Sequence, residues 1–205
     1  TVCDRNSPRP CIQHIPVSYW SWPDVQRVFF GIPLDQAAQQ QTNELLKPLR
    51  GSLKAVRWVD PQNWHMTLAF LGNRPDGVVE NLTRSMEKAY QQESGFKTGP
   101  LSLSRFPNSS GNIIALVLKA DSNLIHLYKV TQALLAANGF EISRTQFRPH
   151  ITLGRLRRNA RLENKVHQQT NISLRVGKVT FYQSTLTPSG SIYLALKEIK
   201  LKNQE

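Results

Sequence analysis

The segments WHMTLAFLG (residues 64–72) and RPHITLGRL (residues 148–156) contain the same tetrad, His-x-Thr-Leu, once in each half of the chain. Their histidines, His65 and His150, are 85 residues apart. Each tetrad lies in a short apolar run next to a glycine, a pattern typical of a β-strand. Because strand side chains alternate between two faces, each histidine shares a face with the threonine two residues later. The repeat therefore predicts two related halves, each with an imidazole beside a hydroxyl.

The segments around the tetrads follow a similar order in both halves. RVFFGIP (residues 27–33) predicts a strand, and a helix capped by Asp35 should follow it and stop at Pro48. Two more helices should begin at Asp76 and after an Asp121 cap. Strands joined by short turns and interleaved with helices predict an α+β fold of two pseudo-symmetric lobes with largely antiparallel sheets and flanking helices.

The domain boundaries come from the composition of the two ends. We assign residues 27–200 to one bilobal domain, residues 1–26 to a poorly ordered N-terminal extension and residues 201–205 to a C-terminal tail. The chain's two cysteines, Cys3 and Cys11, both lie in the extension, which argues against a disulfide framework and predicts a cytoplasmic protein. No apolar run approaches the roughly 18 residues of a membrane span.

The charge of the chain favours a polyanionic partner. Lys and Arg total 26 against 14 Asp and Glu, so the formal net charge is +12. Residues 144–161 contain no acidic residue and six arginines: Arg144, Arg148, Arg155, Arg157, Arg158 and Arg161. Guanidinium groups bind phosphate through forked hydrogen bonds and stack on bases, so this cluster predicts binding to an RNA or nucleotide end, with Arg148 as a substrate-binding residue. A solvated basic loop is the alternative, above all for the last three arginines.

Phe70 and Arg155 occupy equivalent places, five residues after the histidine of each tetrad. Strict strand alternation turns both side chains away from the histidines. They reach the same cleft only if the strands end or bulge at Gly154 and near Gly72. We retain both as candidate substrate-binding residues on that condition.

The paired tetrads supply the groups that displacement at a phosphodiester requires. If the two halves face each other, two histidines and two threonines line one cleft. The reaction needs a base for the incoming oxygen, an acid for the leaving oxygen and donors for the charged non-bridging oxygens. Histidine titrates near neutral pH, so one ring can be neutral while the other is protonated. The scheme requires no metal, and neither tetrad has the further ligands of a zinc site nearby.

HMTLAFLG (65–72) and FRPHITLGRL (147–156) resemble the two motifs of the two-histidine (2H) phosphoesterase superfamily. The closest resemblance is to bacterial RNA 2′,3′-cyclic phosphodiesterases, also called 2′-5′ RNA ligase-like proteins, and it covers about residues 27–200. It implies a bilobal fold with both tetrads in a central cleft. The implied activity is metal-independent opening of an RNA 2′,3′-cyclic phosphate to a 2′-phosphomonoester, with a reversible 2′-5′ ligase activity.

The resemblance also implies roles for single residues. His65 would be the proton donor to the departing O3′ and His150 the proton acceptor that activates water, although the near symmetry of the halves leaves this order open in the sequence itself. The remaining implied roles are phosphate binding by Thr67 and Thr152 and nucleobase binding by Phe70 and Arg155.

Two other functions stay open at this point. The same cleft could act on small cyclic nucleotides, ADP-ribose cyclic phosphate or 2′-5′ oligoadenylate, or the chain could be a non-catalytic RNA-binding module. For the leading hypothesis we expect RNA ends or nucleotides with a 2′,3′-cyclic phosphate as partners, no metal or other cofactor, no membrane, and a monomer.

Overall fold

The computed structural model describes residues 25–142, 145–158, 160, 166–188 and 190–203. Nearly all of the predicted extension, together with Arg144 and Arg161 of the arginine cluster, lies outside the described residues. No helix in the described ranges is long and apolar enough to cross a membrane.

The described residues form eleven strands, three α-helices and one short 3-10 helix (Pro61–Asn63). The α-helices are α1 (Gln36–Ser52), α2 (Asp76–Tyr90) and α3 (Ser122–Ala137). The first six strands are β1 (Val25–Pro33), β2 (Val56–Trp58), β3 (His65–Pro75), β4 (Phe96–Thr98), β5 (Ser102–Phe106) and β6 (Ile113–Val117). The other five are β7 (His150–Leu156), β8 (His167–Gln169), β9 (Leu174–Val176), β10 (Lys178–Thr187) and β11 (Gly190–Lys200).

The two tetrad strands, β3 and β7, lie next to each other in the middle of one large sheet. Its order is β11-β10-β1-β3-β7-β6-β5-β8, with β2 paired to the other end of β7, and a second sheet consists of β4 and β9. All pairs of named strands are antiparallel. Strands β3 and β7 pair at one position only, Met66 opposite Ile151, so a narrow seam joins two sheet halves. This arrangement confirms the predicted mixed α and β, largely antiparallel fold.

Helices α2 and α3 pack against each other and against β3. The two helices thereby bury one face of the sheet. The buried residues of α2 recur at helical spacing: Val79, Leu82, Met86, Tyr90. The hydroxyl group of Tyr90 donates to Thr131 Oγ1 of α3 at 2.9 Å, which satisfies the polar end of a side chain buried between the helices.

The predicted end of α1 at Pro48 is wrong, because the helix continues to Ser52. Asp35 does cap its start, since its side chain accepts from the Ala38 N–H at 3.0 Å. A proline removes one hydrogen bond of the last turns, but Leu49 and Leu53 beyond it pack against the core. Burial of these leucines offsets the missing bond, and a Leu53 N–H bond to the Leu49 carbonyl at 2.8 Å closes the helix.

Candidate active site

The seam between β3 and β7 determines how the tetrads face each other. Its one pair, Met66 opposite Ile151, is antiparallel and both side chains are fully buried. Extending this register by one residue in each direction places each histidine across from the other tetrad's threonine. The four polar side chains are all half-buried on the face opposite the seam pair: His65, Thr67, His150, Thr152. They form a quadrilateral around a pseudo-twofold axis through the seam.

A backbone carbonyl fixes the ring of His65. Its Nδ1 lies 2.7 Å from the carbonyl oxygen of Asn63, and because a carbonyl only accepts, Nδ1 carries the hydrogen. In the neutral ring Nε2 then has the lone pair, and the Thr67 hydroxyl, 3.1 Å away, donates to it. The nitrogen of His65 that can accept a proton is therefore Nε2, next to its own tetrad threonine.

His150 repeats this arrangement in the other half. Its Nδ1 lies 2.9 Å from the carbonyl oxygen of Arg148, again two residues before the histidine. The same argument assigns the hydrogen to Nδ1 and the lone pair of the neutral ring to Nε2. Both halves thus fix the same tautomer through the backbone carbonyl two residues before the histidine.

Both imidazoles have a lowered pKa. Burial lowers the pKa of His65 from 6.5 to about 4; its bond to the Asn63 carbonyl opposes this shift, and the charge of His150 adds to it. Burial also lowers the pKa of His150, its bond to the Arg148 carbonyl opposes the shift, and the charges of Arg148 and Arg155 add to it. In the free protein both rings are consequently neutral at pH 7.

An aromatic cluster surrounds His65. The ring centroid of Phe29 lies 4.7 Å from that of His65, and Tyr193 approaches edge-on at 5.1 Å. Tyr182 stacks on Phe29 at 4.9 Å. A Cβ atom on Gly31 would lie 3.2 Å from His65 Cδ2, so β1 approaches the ring this closely because it has a glycine there. The cluster supplies the desolvation that lowers the pKa of His65.

The aromatic ring of Phe106 on β5 packs against the other histidine, His150. It stacks on the ring of His150 with centroids 3.9 Å apart and planes 15° apart. The guanidinium of Arg148 lies 4.9 Å from the Phe106 centroid, and Arg148 Nη2 donates to the carbonyl of Pro107. Arg148 thus lies beside His150, but part of its donor capacity is used within the protein.

A bulge in each tetrad strand turns Phe70 and Arg155 toward the histidine face. The β1–β3 register passes over Leu68, and the β6–β7 register passes over Leu153, so the tetrad leucine is the extra residue in both halves. Gly154, which follows the bulge at Leu153, is buried, and a glycine is needed there because a Cβ would lie 2.6 Å from Val56 Cγ1 of β2. The structure thus meets the condition under which the side chains of Phe70 and Arg155 lie on the histidine face.

A cavity of about 1050 Å³ opens next to the histidine face; its lining includes Thr67, Phe70, Arg74, Arg148 and His150, but not His65 or Thr152. We call it the catalytic cavity. Phe70 is 56% exposed, and the guanidinium of Arg27 lies 4.7 Å from one face of its ring. Arg155 does not line this cavity, although it is close enough for its charge to lower the pKa of His150.

Several residues of the site have no local signal in the sequence. The carbonyls of Asn63 and Arg148 act through the backbone, which any residue type provides. Phe29, Tyr182 and Tyr193 are ordinary strand aromatics, and the pairing of β1 with β3 and β10, and of β10 with β11, brings them to His65. The other predicted arginines of the described chain, Arg157 and Arg158, are exposed just beyond the end of β7.

The lowered pKa of His65 predicts a specific dependence of stability on pH. Between pH 6.5 and 4 the unfolded chain binds a proton at this position and the folded chain does not, so stability is complete above pH 6.5 and falls as the pH drops through this window. We expect His65→Gln to reduce the loss of unfolding free energy between pH 7 and 4 by up to ~3 kcal/mol. Urea unfolding at both pH values checks this, and equal losses in the two proteins would contradict it.

The fold and the histidine face define a class of protein, the two-histidine phosphoesterases. The sequence profile of the family described as LigT like Phosphoesterase matches residues 32–112 and 118–193. This chain therefore belongs to the LigT-like phosphoesterases, which confirms the family predicted from the tetrads and makes the chain a phosphoesterase.

Known proteins agree with this assignment. An RNA 2′,3′-cyclic phosphodiesterase of Thermotoga maritima is 26% identical over 183 residues, covering 86% of this chain and 96% of that protein. One of Methanothermobacter thermautotrophicus is 26% identical over 185 residues, covering 85% and 98%. The crystal structure of E. coli LigT in apo form superimposes with a TM-score of 0.72 at 26% identity, covering 87% of this chain and 99% of LigT.

Proposed function

We propose that this protein hydrolyses 2′,3′-cyclic phosphate ends of RNA to 2′-phosphomonoesters by metal-independent acid–base catalysis. One observation carries the proposal: two histidines with the same fixed tautomer lie diagonally across the seam, each with a threonine beside it. A cyclic phosphodiester needs an acid and a base on opposite sides of phosphorus, which this geometry provides. The names of the relatives in Thermotoga and Methanothermobacter support the same substrate.

The reaction places one proton transfer at each histidine. Water attacks phosphorus opposite O3′ while Nε2 of His150 accepts its proton. The P–O3′ bond breaks, and Nε2–H of His65 donates a proton to the departing O3′. The new P–O bond leaves a phosphomonoester on O2′. The two histidines end with exchanged protonation states, and proton exchange with solvent restores them.

His65 must gain its proton before it can act as the acid. It is neutral in the free protein at pH 7, because burial lowers its pKa to about 4. The cyclic phosphate carries one negative charge, and a negative charge beside an imidazole favours the protonated form. Substrate binding therefore raises the pKa of His65. The ring takes up a proton from solvent, and this is the proton that it later donates to O3′.

The threonines bind the non-bridging oxygens of the phosphate. In the free protein the Thr67 hydroxyl donates to the lone pair of His65 Nε2. When Nε2 becomes protonated, this acceptor is lost and the hydroxyl turns to a phosphate oxygen. Thr152 donates from the other half to the second oxygen. Each donor stabilises the charge that grows on the phosphate in the transition state.

Phe70 and the arginines bind the nucleotide around this centre. Arg27 occupies one face of the exposed Phe70 ring, so the other face is the one on which a base stacks. Arg148 and Arg155, near His150, attract the anionic substrate. Arg155 does not line the cavity that Phe70 lines, so we assign the base contact to Phe70 alone.

The decisive experiment uses purified protein with excess EDTA and a short RNA that ends in a 2′,3′-cyclic phosphate. We expect a product with a 2′-phosphate, formed at the same rate with and without the chelator. A 3′-phosphate product, a loss of activity in EDTA, or no product would each contradict the proposal. Because a 5′-hydroxyl can replace the attacking water, giving its proton to His150 while O3′ leaves with a proton from His65, the protein should also join such an end to a 5′-hydroxyl through a 2′-5′ bond. The cytoplasmic location and the monomeric state stay predictions.

A further inference from the structure

A second cavity, of about 1060 Å³, adjoins the catalytic cavity on the His150 side. Residues of β5, β6, α3 and the segment before β7 line it, and we call it the upstream cavity. Six residues line both cavities, so the two spaces share one wall: Phe106, Pro107, Tyr128, Gln146, Phe147, Arg148. Since Phe106 stacks on His150, a chain leaving the catalytic cavity past this wall enters the upstream cavity directly.

The charged lining of the upstream cavity is cationic. No acidic side chain lines it among the described residues, whereas four cations do: Arg105, Lys119, Lys129, Arg148. Lys119 and Lys129 are exposed and form no ion pair with the part of the chain that the structure describes. Lys178, in contrast, lies 2.6 Å from Glu198. The two lysines of the cavity therefore keep their full charge available to an anion.

The wall of the upstream cavity is aromatic. Tyr128 of α3 stacks on Phe147 with ring centroids 4.3 Å apart, and the exposed side chain of Ile125 extends the apolar surface. Proteins bind single-stranded nucleic acid with a combination of two features: cations along the phosphates and aromatic surfaces on which the bases stack. A small anion would need the cations but not this apolar surface.

We propose that the upstream cavity binds the RNA nucleotides on the 5′ side of the cyclic phosphate end, with Lys119 and Lys129 on the backbone phosphates. This inference rests on the proposed function, since the terminal ribose must lie in the catalytic cavity. The chain leaves that ribose through its 5′ oxygen and has to cross the neighbouring surface. The upstream cavity adds binding energy for an oligonucleotide that a mononucleotide cannot obtain, so it makes RNA the preferred substrate.

The test compares 2′,3′-cyclic AMP with a five-nucleotide RNA that ends in adenosine 2′,3′-cyclic phosphate. In Lys119→Ala/Lys129→Ala we expect kcat/KM for the RNA, relative to that for cyclic AMP, to fall about tenfold through KM. The slope of log kcat/KM for the RNA against log salt should become shallower by about 1.4, roughly 0.7 for each lost phosphate contact on a single strand. Lys88→Ala/Lys97→Ala removes the same charge outside both cavities and controls for net charge.

The outcomes separate the subsite from the catalytic activity. Suppose that wild-type protein hydrolyses both substrates and that Lys119→Ala/Lys129→Ala has an unchanged preference for RNA. This result overturns the subsite but agrees with the proposed function. An equal loss of RNA preference in the control variant also overturns it, because net charge then explains the effect. Wild-type protein that hydrolyses neither substrate overturns the proposed function and the subsite with it.

Discussion

Replacing either His65 or His150 with alanine should lower kcat for the cyclic phosphate by about 10³-fold, since a positioned acid or base contributes 10² to 10⁴. The double variant should lose little more than the worse single variant, because acid and base act on one displacement as a unit. Steady-state kinetics on an RNA with a cyclic end measures all three. Near-normal turnover in either single variant would contradict the mechanism.

The matched control for these variants is His126→Ala. This histidine lies exposed on α3 and contacts Glu93 at 2.8 Å, outside both cavities. The His126→Ala substitution removes one imidazole, and this variant should keep the wild-type kcat and KM. Circular dichroism and the unfolding midpoint in urea show whether His65→Ala and His150→Ala are folded, so that a catalytic loss is not mistaken for unfolding.

A modified substrate distinguishes the acid from the base. If sulfur replaces the bridging O3′, the leaving group is a thiolate, which departs without protonation because thiols are far more acidic than alcohols. The variant that lacks the acid should then recover most of the lost rate, and the variant that lacks the base should not. We expect recovery in His65→Ala. Recovery in His150→Ala instead would exchange the two roles and leave the catalytic pair intact.

The proposed catalytic pair, His65 and His150, is predictable from sequence because it depends on local patterns. Each tetrad is a contiguous strand segment, and alternation alone places a histidine and its threonine on one face. The repeat then provides the second half of the site. The predictions for His65 and His150 required no knowledge of which strands are neighbours.

Features that depend on pairing between distant strands could not be predicted in this way. Whether Phe70 and Arg155 face the histidines is decided by bulges at Leu68 and Leu153, and a bulge is a property of two paired strands. The sequence shows only that a bulge in each tetrad strand is required, and the registers of β3 with β1 and of β7 with β6 contain these bulges. The low pKa of His65 likewise depends on aromatic side chains from β1, β10 and β11 that no local pattern connects.

Replacing Thr67 or Thr152 with valine should lower kcat/KM by about 10²-fold in each case, the typical loss of one donor to a developing oxyanion. Valine keeps the branched shape and the strand preference of threonine, so the change removes a hydroxyl with little effect on the fold. Thr67→Ser and Thr152→Ser retain the hydroxyl and should keep most of the activity. Serine variants as slow as the valine variants would assign the threonines a packing role.

The double variant Thr67→Val/Thr152→Val tests whether the two hydroxyls bind different oxygens. Donors to separate phosphate oxygens stabilise the transition state independently, so their losses should multiply to about 10⁴-fold. The histidine pair should behave in the opposite way, because removing one proton-transfer group already disables the concerted step. A threonine double variant no slower than either single variant would mean that both hydroxyls serve one oxygen, or that one of them acts only through the imidazole beside it. The pattern of additivity therefore reports the geometry of the bound phosphate. For an anion held on the pseudo-twofold axis, we expect the rate losses of the two threonine variants to multiply and those of the two histidine variants not to.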